Sequence, residues 1–134
     1  MARCRVLAIN IQIIVKMENL DKEKIERIIK NRKVAHTFYS EKSEVYQKFS
    51  EMEQCTYKDG NLSCLQKELI AIGISVVIDC ESCMEWHIKQ AIENGATEME
   101  IIEAIDVGIE MGGGPASVSA RFAMNVLNYY AQPK

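Results

Sequence analysis

Proline is scarce in this chain of 134 residues, limited to Pro115 and Pro133. Strand-type alternation of apolar and polar residues is almost missing beyond residue 16. Long segments instead carry apolar residues three and four apart, the spacing of helices that bury one face. Internal repeats and low-complexity tracts are also absent, so nothing suggests a repeat array or a disordered tail. No excess of positive charge is present: 16 basic and 19 acidic residues leave a net charge of −3. That balance gives no electrostatic footing for nucleic acid or an anionic membrane surface. The densest basic group, Lys22, Lys24, Arg27, Lys30, Arg32 and Lys33, alternates with Asp21, Glu23 and Glu26 at helical spacing, and a solvated helix face is expected there.

A disulfide scaffold is unnecessary. The cysteines number five (Cys4, Cys55, Cys64, Cys80 and Cys83), an odd count with one close pair. With 48% apolar and 26% charged residues the chain can build one domain around its own core. A Cys-x-x-Cys pair in such a chain points to a reducing compartment, taken as the cytoplasm, and to a working thiol or a metal. The triple glycine Gly112-Gly113-Gly114 lacks the Lys-Ser/Thr of a phosphate loop, and close helix approach is the better reason for it.

Residues 1–17 stand apart. Arg3 and Arg5 precede an apolar run from Val6 to Val15, interrupted by Asn10 and Gln12. The run is too short to cross a bilayer, and no small-residue cleavage site follows before Lys16-Met17-Glu18. Two readings stand: an appended or upstream-translated segment with Met17 as a start, or a short strand or oligomer contact. The division is therefore an N-terminal extension over 1–17 and one helical domain over 18–134.

Within that domain six helices are expected, an all-α bundle. The first covers Asp21 to Lys33 with Ile25, Ile28 and Ile29 inward; the second covers Ser43 to Met52 with Val45, Tyr46, Phe49 and Met52 inward. Ser63 and Gln66 form a capping-box signature that opens a third helix, apolar nearly all round from Leu69 to Ile78 and so buried inside the domain or at a subunit interface. The fourth starts near Asp79 or Cys80 and stops at Asn94-Gly95. Thr97 and Glu100 open the fifth, which lasts to Met111, and Pro115 starts the sixth after the glycine break.

Chemistry concentrates in Cys80-Glu81-Ser82-Cys83-Met84-Glu85-Trp86-His87. On a helix Cys80, Cys83, Met84, His87, Ile88 and Ala91 share a stripe, so both thiols and the imidazole are expected to face inward, with Glu81, Glu85 and Lys89 opposite. Both cysteines fall in the first turn, where free amides and the helix dipole favour a thiolate; Asp79 and Glu81 oppose it. Glu68, in the preceding helix, is either a buried carboxylate in need of a partner such as His87, or a solvent-end residue paired with Lys67 or water. A zinc site is a third possibility, with Cys80, Cys83 and His87 joined by Cys55 or Cys64, although no second Cys-x-x-Cys or His-x-His is present. His36, beside Phe38 and Tyr39, reads as a packing or surface residue. Trp86 lines an access channel or simply packs.

The order Glu68, Cys80, Cys83, His87 resembles the signature of the alkylhydroperoxidase D-like branch of the carboxymuconolactone decarboxylase family. The surrounding Glu68-Leu69-Ile70-Ala71-Ile72-Gly73-Ile74-Ser75, Asn94-Gly95-Ala96-Thr97 and Met111-Gly112-Gly113-Gly114-Pro115-Ala116 carry the same likeness. The resemblance covers about Ser63 to Tyr130. It implies a helical fold that oligomerises through buried helices as a trimer or hexamer, with thiol chemistry and neither metal nor other cofactor. It further implies a Cys80–Cys83 disulfide formed at the expense of a hydroperoxide or disulfide substrate, with His87 and Glu68 relaying a proton and an external thiol or protein as electron donor. One departure weighs against efficient peroxide reduction: peroxidase members carry a histidine where Ser82 stands. The expected function is a peroxidase or disulfide reductase. The alternatives are a lactone acid decarboxylase, the other activity of the wider family, and a zinc-binding structural helical oligomer.

Overall fold

No glycine precedes Gly60 and no proline precedes Pro115, so only side-chain capping can interrupt a helix in the first part of the chain. The computed structural model describes the backbone of residues 5–131 and the side chains of residues 21–131. Helix α1 runs from Arg5 to Lys42. It ends where Ser43 turns extended (φ −128°, ψ 113°) and its hydroxyl accepts from the Tyr46 amide, starting α2, Glu44–Thr56. The expected Asp21–Lys33 helix is thus only the middle of α1. The backbone from Arg5 to Met17 is helical, which removes the strand reading there; Cys4 lies outside the described residues.

Capping sets the other boundaries. The Ser63 amide donates to Gln66 Oε1 (2.8 Å) and the Gln66 amide to Ser63 Oγ (3.2 Å), opening α3, Cys64–Val77. Helix α4, Glu81–Glu93, stops at Asn94, followed by Gly95 with a left-handed φ of 92°. Thr97 and Glu100 exchange the same reciprocal pair of bonds (2.7 and 3.2 Å) at the start of α5, Glu98–Ala131. The Thr97 amide, and then the Thr97 hydroxyl at 2.9 Å, donate to the Glu100 carboxyl and hold it below its ordinary value. Two helices were expected over this last stretch. Gly113 (φ 66°, ψ −146°) leaves the helical region and kinks the chain, so these two helices meet without a connecting loop and are described together as the two arms of α5, one of five elements where six helices were expected. Among the described residues there is no strand.

Helix α3 packs on α5 and α4, α4 packs on α5, and α1 crosses both α4 and α5. Ile72, Val76, Met84, Ile88, Ile101, Ile105 and Val126 form the centre, and Ile25 closes it from α1. The α3–α5 contact is backbone on backbone. A Cβ at Gly108 would lie 2.7 Å from the Gly73 carbonyl oxygen and 3.0 Å from Val76 Cβ.

α2 departs from expectation, and α3 is not buried inside the domain on every side. No residue of α2 is buried, and Val45 is 80% exposed. α2 lies along α1 as the second arm of a hairpin outside the main core, so its apolar stripe meets a cavity instead of packed helices. α3 is buried on one side only, through Glu68, Ile72, Ser75 and Val76. Ile70, Ile74 and Val77 point outward, and with Val107 and Met111 of α5 they line a groove of about 640 Å³.

Gly108→Ala is expected to destabilise the protein by about 1–3 kcal/mol, the usual range for overpacking. Gly114→Ala, where nothing lies within 4 Å of an added Cβ, should unfold at or above the wild-type Tm. Thermal unfolding of the two variants side by side checks the pair.

Candidate functional site at the start of helix α4

Cys80 is the N-cap of α4, with φ −97° and ψ 92°, and its sulfur accepts from the Cys83 amide at 3.3 Å. Spacing three places the Cα atoms 5.2 Å apart, and the two sulfurs are bonded as a disulfide. One turn further on, His87 Nδ1 lies 2.7 Å from Glu68 Oε2. Glu68 is only 3% exposed, so the solvent-end reading of this residue fails. Lys67 turns away from it and donates to the Thr56 and Lys58 carbonyl oxygens (2.9 and 2.6 Å), fastening the end of α2. With Nδ1 committed to a carboxyl group, Nε2 is the imidazole nitrogen left for exchange.

A cavity of about 370 Å³ opens beside these residues, lined by Phe49, Met52, Glu53 and Thr56 of α2, by Tyr57 just after it, and by Ser82, Cys83, Trp86 and His87 of α4. Cys83 lines it and Cys80 does not. The Tyr57 ring lies 5.4 Å from that of His87. Burial, and then the charge of Glu68, push the Tyr57 phenol above its ordinary value. Tyr57 was not anticipated, since nothing in the local sequence ties it to α4, which begins at Glu81 beyond the whole of α3. Trp86 does line the cavity, and it also packs: Arg32 lies 4.7 Å and Lys89 5.4 Å from its ring centroid.

The buried stripe of α4 is rotated from the one expected. Met84, Glu85, Ile88 and Ala91 are buried, while Cys80, Cys83 and His87 sit at its half-buried rim. The cause is α1, which crosses α4 on the side of Glu85. This glutamate is fully buried, paired with Arg32 and accepting from the Tyr130 hydroxyl. Burial and then that bond hold the Tyr130 phenol far above its ordinary range. Lys24 likewise reaches Glu81 at 2.5 Å. Two of the cations assigned to a solvated face therefore serve the α1–α4 contact. No local spacing links residues 32, 85 and 130, so this cluster has no sequence signal.

Among the described residues the other two cysteines, Cys55 and Cys64, stay apart. Cys55 is exposed, and Cys64, half-buried at the start of α3, has its thiol pushed up by burial and by Glu68, which disfavours the reactive thiolate. Among the described residues no group of three or more His, Cys, Asp and Glu side chains is arranged to hold a metal ion. His36 Nδ1 meets the Tyr46 hydroxyl at 3.2 Å on the surface, as a packing residue would. No described helix is long and apolar enough to cross a membrane.

The class defined by this arrangement is an all-helical bundle with a Cys-x-x-Cys motif at a helix start and a Glu–His pair behind it. The model of the carboxymuconolactone decarboxylase family matches residues 43–125, and the chain belongs to that family. It is similar to an uncharacterised protein of Cupriavidus necator, 35% identical over 82 residues that cover 61% of this chain and 70% of that one. A protein of the cox locus of Paracoccus denitrificans is 39% identical over 80 residues, 60% of this chain and 72% of the other. Among solved structures, a carboxymuconolactone decarboxylase family protein of Legionella pneumophila superposes with a TM-score of 0.78 at 28% identity, covering 83% of this chain and all of that one. A family member from Thermotoga maritima, described with a possible part in an antioxidative response, gives 0.72 at 25% identity, over 78% of this chain and 89% of that one.

Arg32→Met leaves a buried carboxylate without its cation and is expected to cost roughly 3 kcal/mol. Tyr130→Phe removes one hydrogen bond to the same carboxylate and should cost less, about 1–2 kcal/mol. Urea unfolding, with an unchanged slope and a lowered midpoint, measures both.

Proposed function

We propose that the protein is a thiol oxidoreductase that reduces a hydroperoxide or a disulfide with the Cys80/Cys83 pair. The observation that carries this reading is the bonded Cys80–Cys83 pair at the helix start, one turn from a histidine held by a buried glutamate. The antioxidative association of the Thermotoga relative agrees with it.

Cys83 is the attacking thiol in this reading, because it lines the cavity together with His87. With a hydroperoxide, the Cys83 thiolate attacks one oxygen, the O–O bond breaks, and the alcohol leaves with a proton relayed by His87 and Glu68. The resulting sulfenic acid is attacked by the Cys80 thiol, which expels water and forms the disulfide. With a disulfide substrate, Cys83 forms a mixed disulfide that Cys80 displaces. Either way two electrons leave the dithiol, and an external thiol or protein donor returns them. Ser82 supplies no positive charge beside the Cys83 thiolate, which favours disulfides over peroxides as the better substrates. A lactone acid fits the cavity poorly: Glu53 is the fixed charge on its wall, and no Lys or Arg lines it.

A working homo-oligomer, trimer or hexamer, belongs to the same proposal. The outward residues Ile70, Ile74, Val77, Val107 and Met111 line one apolar groove, a surface suited to covering by a second copy of the chain. A reducing, cytoplasmic setting suits a protein whose disulfide must be reopened in each cycle.

The deciding test is a thiol count on the reduced protein before and after one equivalent of cumene hydroperoxide, and in parallel of a small organic disulfide, with mass mapping of the Cys80–Cys83 peptide. Loss of two thiols to an intrapeptide disulfide, reversed by dithiothreitol, is expected with at least one of them. Free thiols unchanged by both would overturn the proposal, as would activity surviving in the Cys80→Ser/Cys83→Ser protein. Glu68→Gln and His87→Gln should each slow disulfide formation about a hundredfold, the lower range for lost acid–base assistance. Light scattering on a sizing column reads the assembly, and Val107→Asp should shift it to the monomer.

A further inference from the structure

The turn that delivers the chain into Cys80 places an aspartate where the backbone favours glycine. Ile78 closes α3, the Asp79 amide donates to the Val76 carbonyl (3.4 Å) and the Cys80 amide to the Ser75 carbonyl (3.0 Å). This pair of bonds is a Schellman closure, and the residue it encloses takes a left-handed conformation. Asp79 does so at φ 55°, and among the described residues it is the one non-glycine with a positive φ. Helix α4 ends in the same closure, with the Gly95 and Ala96 amides donating to the Ile92 and Ala91 carbonyls at 3.0 and 2.9 Å. There the left-handed residue is a glycine, Gly95. The fold thus builds one turn twice and accepts the steric cost of a side chain only beside Cys80.

What offsets that cost comes from another helix. Ser119, in α5 beyond the bend at Gly113, donates its hydroxyl to Asp79 Oδ1 at 2.6 Å. The Pro115 carbonyl is a second acceptor in reach, at 3.3 Å. A hydroxyl has one proton, and the shorter bond to the carboxylate takes it.

We infer that Asp79 and Ser119 form a latch that fixes the backbone entering Cys80, which makes Asp79 a positioning residue for the Cys80/Cys83 redox pair. The inference rests on the thiol reading given above. In the reduced protein no covalent bond holds Cys80 against Cys83. The latch then keeps Cys80 at the N-cap, facing the first turn of α4, and raises the effective concentration of one thiol at the other. The disulfide is correspondingly easier to form. In the balancing reaction the dithiol and one glutathione disulfide give the Cys80–Cys83 disulfide and two glutathione thiols. The two electrons pass to the glutathione sulfurs and the two thiol protons go with them.

Equilibration in glutathione buffers of varied thiol-to-disulfide ratio tests the latch on the wild type, Asp79→Gly, Ser119→Ala and the double variant. Acid trapping and mass analysis count the linked form, and thermal unfolding of the oxidised proteins runs alongside. Each single variant is expected to shift the equilibrium toward the dithiol by roughly threefold to tenfold, the weight of about one net hydrogen bond. The double variant should move no further than the larger single one, because both break the same contact. Asp79→Gly should keep a Tm close to wild type, since glycine suits the left-handed position. A wild type that titrates normally, with both single variants superimposed on it, overturns the latch and leaves the thiol reading intact. Shifts that merely follow a fall in Tm overturn it too. A wild type unresponsive at every ratio defeats the thiol reading itself, and the latch with it.

Discussion

The arrangement depends on one buried carboxyl group. Glu68 sits in α3 at 3% exposure, and a carboxyl group that has left water needs a partner of its own. His87 provides it from α4, and the bond fixes two things together. It sets the rotation of α4 against α3, and it orients the imidazole so that Nδ1 is occupied and Nε2 is free. Because His87 is one turn past Cys83, that rotation also carries Cys83 to the cavity wall. The packing of the two helices and the placement of the thiol beside an exchangeable nitrogen thus follow from a single contact.

α3 meets this demand while serving two others. Its Gly73 face lets α5 approach until backbones touch, and its Ile70 and Ile74 side is left outward. Three requirements on fourteen residues explain why its sequence looks apolar nearly all round. They also explain why the cysteine pair is placed at the turn after α3, where α4 begins and its amides are free. The Gly113 bend in α5 serves the same corner. It redirects the second half of α5 so that Ser119 comes beside Asp79 at the mouth of that turn.

Features set by near neighbours were legible in the sequence. The Ser63–Gln66 and Thr97–Glu100 caps, the Gly95 stop and the cysteine pair at a helix start all depend on contacts within a few residues, and all stand where expected. The Glu68–His87 contact was legible as one of two readings, since a carboxylate amid apolar residues must find either a partner or the surface. Features set by distant packing were not. Whether Arg32 faces solvent or Glu85 depends on the angle at which α1 crosses α4, and no local pattern encodes that angle. Phe49 and Met52 have the spacing of a core stripe, but a stripe facing a cavity looks the same in sequence as one facing packed helices. The length of α1 follows from the missing breakers between Lys33 and Lys42, a signal weaker than the periodicity that ends near Lys33.

Among the described residues two glutamates are buried, Glu68 on α3 and Glu85 on α4, and they are held in opposite ways. Glu85 is closed in by Arg32 and Tyr130: arginine keeps its charge at any working pH, and the Tyr130 phenol is held far above its ordinary range. Neither partner can take a proton from a reaction, so this cluster can only join α1, α4 and the end of α5. Glu68 is held instead by histidine, the side chain whose charge changes most readily near neutrality, and on the side of α4 that faces the cavity and Cys83. If burial of a carboxylate were the only requirement, the arginine solution would serve both places. That the histidine stands on the cysteine side alone, with the Tyr57 ring tilted against it at 5.4 Å, is what proton transfer to and from a reacting thiol would need.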